Sequence, residues 1–213
     1  MNRVAAWSNS RVRASLISVG RLAVLTGVTV ALAFAVGSPA AARTATHLKI
    51  PPGRFALGDS VMLGAKYKLK ALGFGGVDAV ESRQAYSGPS ELRHRGGALP
   101  ENVVVHLGTN GTFPLSTCKA IVRAVGPERH LFLLTVHVDR SWTRGNNKVI
   151  RECAADYPPG RVAVIDWDWA ASRHPSWLYP DHTHLTPAGA KGYARMIDAA
   201  IDRSEASISQ RAV

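Results

Sequence analysis

Short apolar runs alternate with helix-sized segments through most of this chain. The runs occupy residues 55–57, 77–80, 103–107, 131–136 and 162–165. Several are apolar throughout, which is typical of strands that are covered on both faces of a sheet. Helical patterns occupy about 61–72, 88–97, 115–125, 144–156 and 187–203. This order predicts one α/β domain, a three-layer α/β/α sandwich around a parallel sheet of about five strands.

Ligands of such sheets bind beyond the C-terminal ends of the strands, so the residues that follow each run are the candidates for function. Ser60 follows the first strand and precedes a helix, whose N-terminus favours developing negative charge. A serine nucleophile needs a base. Asp181 and His184 are spaced so that the carboxylate can bind Nδ1–H while Nε2 faces the serine. Asn110 and the backbone N–H of Ser60 are candidate donors to an oxyanion.

These residues resemble sequence blocks of the SGNH (GDSL-type) family of esterases and acyltransferases. Gly58-Asp59-Ser60, Gly108-Thr109-Asn110 and Asp181-x-x-His184 are similar to the first, third and fifth blocks, and they occur in that order. The resemblance covers roughly residues 54–203. It implies the flavodoxin-like SGNH fold, with Ser60 as nucleophile, His184 as base and Asp181 as the residue that orients the base.

The second block of the family normally contains a glycine whose backbone N–H is the third oxyanion donor, beside those of Ser60 and Asn110. The corresponding loop here reads Glu81-Ser82-Arg83-Gln84 and has no glycine. Any residue except proline carries a backbone N–H, so Ser82 is expected to donate if its backbone conformation permits. The Ser-Arg-Gln sequence resembles the variant in SGNH domains that accompany membrane acyltransferases of cell-surface O-acetylation.

Two alternatives concern the histidines near the C-terminus. His182 is a rival base because it lies two residues from His184, although the D-x-x-H spacing favours His184. Asp181, His182 and His184 also offer metal ligands, but no further ligand at a suitable spacing is visible elsewhere. We therefore expect neither a metal nor a cofactor. His106 lies inside an apolar strand and is expected to be a hydrogen-bonded core residue.

Trp142, Asn147 and His137 follow the fourth strand and are candidates for substrate binding. Each has a structural alternative: core packing for the tryptophan, helix capping for Asn147 and its neighbour Asn146, and a scaffold role for His137. The same choice between stacking on a sugar and core packing applies to three further tryptophans, Trp167, Trp169 and Trp177. After the fifth strand, Asp166 or Asp168 is expected to cap the following turn.

The N-terminal segment has the features of an export signal. Residues 1–42 contain four arginines and no acidic residue, with an apolar run at 22–36 and small residues at 40–42. This pattern is typical of a secretory signal peptide. The alternative is an uncleaved N-terminal anchor, although the run is shorter than the ~18–20 residues of a comfortable membrane span. Either way, residues 43–213 form the domain, which is expected to be secreted or held at the cell surface.

The net charge of +11 first suggests an anionic partner. Without residues 1–42 it falls to +7, and the remaining basic residues are scattered rather than clustered. Nucleic acid is therefore not expected as a partner. An anionic cell-wall polymer remains a candidate.

The chain contains two cysteines. Cys118 opens the helix after the third strand, and Cys153 lies late in the helix after the fourth. Right-handed crossovers place both helices on the same face of the sheet, so the two residues can meet. Export permits oxidation, which favours a disulfide over two buried thiols.

Together these features predict a secreted serine acyl hydrolase that cleaves an O-acyl ester through an acyl-enzyme. The expected substrate is an acylated small molecule or a cell-surface glycan. One alternative is an O-acetyltransferase of cell-wall or surface polysaccharide that works with a separate membrane acyltransferase. The other is a non-catalytic wall-binding module that keeps the fold.

Overall fold

The structure, a computed structural model, describes residues 50–211. The strands in this range are Arg54–Gly58 (β1), Phe74–Ala79 (β2), Asn102–His106 (β3), His130–Leu134 (β4) and Val162–Ile165 (β5). The α-helices are Ser60–Ala71 (α1), Gly88–Arg95 (α2), Leu115–Val125 (α3), Thr143–Ala155 (α4), Trp167–Arg173 (α5) and Pro187–Arg211 (α6).

All five strands are parallel and lie in the order β2-β1-β3-β4-β5. This is the flavodoxin-like order, and it confirms the predicted fold class. The direction of the crossovers reverses between β1 and β3, which leaves a crevice at the C-terminal ends of these two strands. The fold therefore places the segments after β1 and β3 at the same ligand-binding edge.

The helices cover both faces of the sheet. Helices α1, α5 and α6 pack on one face, against strand residues that include Ala56, Val104 and Phe132. Helices α2, α3 and α4 pack on the other face, against residues that include Leu57 and Val105. Every residue of β3 is buried, which explains why this run is apolar without alternation.

Strand β2 begins earlier and helix α6 ends later than the sequence predicts, and one short helix was not predicted. Strand β2 begins at Phe74, earlier than expected, because two glycines at its start dilute the apolar pattern of this edge strand. Helix α6 continues to Arg211, beyond the predicted end near residue 203. Helix α5 was not predicted, since its seven residues are too short to show a helical period.

Cys118 and Cys153 form a disulfide between α3 and α4, as their positions in the topology predict. No helix within residues 50–211 is both long enough and apolar enough to cross a membrane. The predicted signal peptide or anchor, residues 1–42, lies outside the described residues.

Candidate active site

Ser60 is the first residue of α1, at the sharp turn that follows β1. Asp59 is the N-cap of this helix, and its Oδ1 accepts a hydrogen bond from the backbone N–H of Val61 at 3.1 Å. A β-carbon at Gly58 would lie 2.5 Å from that of Met62, so only glycine allows so tight a turn from strand to helix. The Ser60 hydroxyl therefore lies at the crevice, beside the positive end of α1.

The structure brings Ser60, His184 and Asp181 into one hydrogen-bonded row. His184 Nε2 lies 3.0 Å from Ser60 Oγ, and His184 Nδ1 lies 2.7 Å from Asp181 Oδ2. With the ring proton on Nδ1, the histidine donates to the carboxylate and accepts from the serine hydroxyl. His184, and not its rival His182, is the histidine that reaches the serine.

Backbone hydrogen bonds fix the Asp181 carboxylate. Its Oδ1 accepts from the N–H groups of Thr183 and His184 at 3.0 and 2.9 Å. Desolvation raises the pKa of Asp181. Hydrogen bonds from the backbone N–H and the side chain of His184 and from the Thr183 N–H outweigh this effect and lower the pKa to about 2. Asp181 is therefore ionised at neutral pH and able to stabilise a protonated His184.

The segment that carries this pair is anchored to the start of α6. Leu178 and Leu185 form a short antiparallel bridge, and the backbone N–H of Thr186 donates to Trp177 O at 2.9 Å. Thr186 also N-caps α6, since its Oγ1 accepts from the Gly189 N–H at 3.2 Å. A β-carbon at Gly189 would collide with the Trp177 carbonyl oxygen, so this close approach requires glycine.

Three potential oxyanion donors line the same cleft as Ser60 Oγ. Ser60, Ser82 and Asn110 are all lining residues of the cleft, and the expected donors are the two backbone N–H groups and the Asn110 amide. Ser82 has a φ of 57°, in the left-handed region that glycine normally occupies. Its backbone thus adopts the glycine-like conformation that the family's second block normally provides. Asn110 Nδ2 donates to Arg83 O at 3.4 Å, which ties the two donor segments together.

The side chain of Arg83 anchors the loop that contains Ser82 to the ends of β1 and β2. Arg83 Nη1 donates to Gly58 O at 3.1 Å and to Asp78 O at 2.6 Å. Arg83 Nη2 donates to Asp78 Oδ1 at 2.7 Å. Desolvation raises the pKa of Asp78, but hydrogen bonds from Arg83 and Arg95 outweigh it, and the net pKa is lowered.

The loop that contains Asn110 is held by Asn146, a buried residue of α4. Asn146 Nδ2 donates to Gly108 O at 2.9 Å and to Gly111 O at 2.8 Å. Its Oδ1 accepts from the Phe113 N–H at 2.7 Å. The sequence pattern suggested helix capping for Asn146 and gave no sign of this role, because its three partners lie more than thirty positions away.

The cleft has a volume of about 890 Å³. One wall comes from the segment between β4 and α4, which contributes Val138, Asp139, Arg140 and Trp142. Of the three residues expected to bind substrate, Trp142 therefore lies at the cleft.

Asn147 and His137 are not among the residues that line the cleft, and their expected role in substrate binding stays a prediction. Asn147 is buried, and it exchanges hydrogen bonds with the backbone N–H and C=O of Val136 at 2.7 and 2.9 Å. His137 Nδ1 lies 2.7 Å from Asp168 Oδ1. Both side chains hold the chain segment that follows β4. Asp166 caps α5 by accepting from the Trp169 N–H, so Asp168 is not the cap.

His106 is a core residue, as expected. It is fully buried, with Nδ1 2.8 Å from the Tyr193 hydroxyl. Burial lowers the pKa of His106 and raises that of Tyr193 well above its ordinary value. Trp167 is also fully buried, Trp177 is partly buried against the same core, and Trp169 is exposed.

Within residues 50–211, no group of three or more histidine, cysteine, aspartate or glutamate side chains is arranged to hold a metal ion. The metal-site alternative for Asp181, His182 and His184 thus has no support in the geometry. The Asp181 carboxylate is instead hydrogen-bonded to the ring and to the backbone N–H of His184.

No model of a protein family matches the chain. Among individual proteins, it is 31% identical over 146 residues to YrhL of Bacillus subtilis, which has the provisional name peptidoglycan O-acetyltransferase. It is 31% identical over 151 residues to the peptidoglycan O-acetyltransferase OatA of Listeria monocytogenes. These matches cover 67% and 70% of this chain but only 22% and 24% of the two relatives.

Solved structures share the fold. The C-terminal catalytic domain of Streptococcus pneumoniae peptidoglycan O-acetyltransferase A is 24% identical with a TM-score of 0.65, and the match covers 73% of this chain and 96% of that one. A carbohydrate esterase family 3 structure from Talaromyces cellulolyticus is 15% identical with a TM-score of 0.56, over 71% and 97% of the two chains.

Proposed function

The chain belongs to the SGNH (GDSL-type) family of serine esterases and acyltransferases, and we propose that it moves O-acetyl groups on a cell-wall glycan through an acyl-enzyme at Ser60. The observation that carries this proposal is the hydrogen-bonded row of Ser60, His184 and Asp181, which lies at a cleft that Ser82 and Asn110, the residues of the other expected oxyanion donors, also line.

In the first half-reaction, Ser60 Oγ bonds to the acetyl carbonyl carbon while its proton passes to His184 Nε2. The carboxylate of Asp181 stabilises the resulting imidazolium. The carbonyl oxygen becomes negative and accepts hydrogen bonds from the N–H groups of Ser60 and Ser82 and from the Asn110 amide. When the tetrahedral intermediate collapses, the ester C–O bond breaks, and His184 protonates the departing alcohol.

In the second half-reaction, an acceptor oxygen attacks the acetyl-serine. His184 removes the acceptor proton, the acetyl group leaves Ser60, and the serine oxygen regains its proton from His184. The acceptor alone decides the outcome. A glycan hydroxyl yields an acetylated glycan, and water yields acetate.

Transfer to a peptidoglycan hydroxyl is the function that we favour. The sequence relatives with 31% identity are named for that reaction. The cleft volume of about 890 Å³ lies near the upper end of small-molecule sites, so it has room for sugar units beside an acetyl group. Trp142 is positioned to pack on a sugar face along one wall.

Hydrolysis of the same kind of ester is the second candidate. The side chains of His184 and Asp181 are 48% and 51% exposed, so bulk water has access to the acyl-enzyme. An esterase would release acetate from an O-acetylated glycan without the need for a second alcohol.

The cellular setting is part of the proposal. Residues 1–42 would export the domain, as a cleaved signal peptide or as an anchor, to the cell surface. A membrane acyltransferase would deliver the acetyl group. The net charge of +7 over residues 43–213 would favour approach to an anionic wall polymer.

The decisive experiment supplies the purified domain with 4-nitrophenyl acetate and soluble peptidoglycan fragments. Mass spectrometry of the fragments and an assay of free acetate then measure transfer and hydrolysis in the same reaction. We expect acetylated fragments with the wild type and neither product above background with Ser60→Ala. Acetate as the sole product would support the esterase, and Ser60→Ala activity equal to wild type would contradict the mechanism.

Labelling with a fluorophosphonate separates catalysis from the wall-binding alternative. The probe should modify wild-type Ser60 and leave Ser60→Ala unlabelled. A folded wild-type protein that binds peptidoglycan but takes no label would favour the non-catalytic module.

A further inference from the structure

Arg83 contacts every chain segment that carries a potential oxyanion donor. Its guanidinium donates to Gly58 O, two residues before Ser60. It directly follows Ser82 in the chain. Its own carbonyl oxygen accepts from the side-chain amide of Asn110. Within residues 50–211, Arg83 alone makes hydrogen bonds both to the end of β1 and to Asn110.

The guanidinium acts as a clamp between β1 and β2. It is nearly buried, with 9% of the side chain exposed, and the Asp78 carboxylate compensates its charge. Its Nη1 joins the carbonyl groups of Gly58 and Asp78, and its Nη2 binds the Asp78 side chain. A planar fork of donors can make these bonds at the same time, whereas a lysine ammonium cannot reproduce that geometry.

The backbone of Ser82 needs such support. A residue with a β-carbon adopts a positive φ only where the surrounding structure enforces it. The side chain of the next residue, Arg83, is fixed at three hydrogen bonds, so it restricts the peptide that follows Ser82. This restraint supplies what a glycine would supply through its own conformational freedom.

The carbonyl oxygen of Arg83 also selects the orientation of the Asn110 amide. A carbonyl oxygen accepts from the NH₂ group but repels the amide oxygen, so the nitrogen is held on the side of Arg83. One N–H is directed to Arg83 O, and the second N–H of the same group remains for the cleft.

We propose that Arg83 is a positioning residue that assembles the oxyanion hole by fixing the Ser82 backbone and the Asn110 amide relative to Ser60. The proposal rests on the proposed function, because it presupposes that these groups stabilise an oxyanion during acyl transfer.

The first test compares Arg83→Lys and Arg83→Ala with wild type on 4-nitrophenyl acetate. We expect kcat to fall about 10- to 100-fold in both variants, with KM within about threefold and an unchanged pH profile. Arg95→Ala is the matched control, because Arg95 also binds Asp78, at 3.1 Å, but is 42% exposed. Its kcat should stay within about twofold. Arg83→Lys retains the charge opposite Asp78 and covers the case in which Arg83→Ala does not fold.

The second test is a double-mutant cycle between Arg83→Lys and Asn110→Ala. If both residues serve one oxyanion hole, the double variant should lose little more than the worse single variant. A loss equal to the product of the two single losses would show that Arg83 acts elsewhere and would overturn the inference. So would wild-type kcat in Arg83→Lys. Wild-type activity that is independent of Ser60 would instead contradict the proposed function itself.

Discussion

His184 Nε2 lies 3.0 Å from Ser60 Oγ, although 124 positions separate the two residues in the chain. Ser60 begins the first helix of the domain, and His184 lies just before the last. The contact forms only when the first and last parts of the domain have both folded. The proposed activity toward a simple acetyl ester would therefore report on whether the domain has folded as a whole.

Asp181→Asn should lower kcat by about 10²- to 10⁴-fold, because a neutral amide no longer stabilises the protonated form of His184. KM should change little, since Asp181 is bonded to Nδ1 of His184, the ring nitrogen that faces away from Ser60. Steady-state kinetics with 4-nitrophenyl acetate checks this, with circular dichroism as the control for folding. A kcat within threefold of wild type would contradict the assigned role.

The titration of Asp181 should depend on His184. Its pKa is about 2 in the folded protein against an ordinary value of 3.8. Because the folded value is the lower one, ionised Asp181 stabilises the fold above about pH 4, and this contribution is lost as the pH falls through 2. In His184→Ala, the ring hydrogen bond is removed, and the midpoint should rise toward 3.8.

Carboxyl ¹³C NMR measures that midpoint directly. His182→Ala is the matched control, because His182 is the neighbouring histidine that does not reach Ser60, and its substitution should leave the midpoint near 2. An equal midpoint in wild type and His184→Ala would show that the ring does not stabilise the carboxylate.

Asn110→Ala should lower kcat by about 10²- to 10³-fold with little change in KM, the expected effect of removing one oxyanion donor. Thr112→Ala is the control, since Thr112 is an exposed residue of the same loop. Its kinetics should match those of wild type. Equal losses in both variants would indicate general disturbance of the loop instead of a missing donor.

Replacing both cysteines by alanine should lower the free energy of unfolding by about 3–4 kcal/mol, the chain-entropy value for a cross-link between residues 35 positions apart. Urea denaturation of oxidised wild type and of Cys118→Ala/Cys153→Ala provides the comparison. Both sulfur atoms are buried between helices and do not line the cleft, so kcat at 25 °C should stay within about twofold. Equal unfolding midpoints would contradict the prediction.

The fold was predictable because β1, β3 and β4 are buried on both faces and therefore appear as uninterrupted apolar runs. The positions of Ser60 and Asn110 were predictable because parallel strands end at a common edge. The disulfide followed from the handedness of the crossovers.

The scaffold of the site was not predictable in the same way. Asn146 and Asn147 are adjacent and of the same residue type. Asn146 nevertheless holds the loop after β3, whereas Asn147 holds the segment after β4. Their partners depend on how α4 packs, which local sequence does not encode. The left-handed backbone of Ser82 likewise depends on its surroundings rather than on its residue type.

The first strand and the last helix of the domain are joined at the end remote from the cleft. Arg54, at the start of β1, forms ion pairs with Asp198 and Asp202 near the middle of α6. Helix α6 begins beside His184 and contacts the start of β1, so it runs from the cleft toward the N-terminal ends of the strands. The ion pairs of Arg54 therefore link the strand that leads to Ser60 with the helix that follows His184, so both halves of the catalytic pair depend on a contact made at the far side of the sheet.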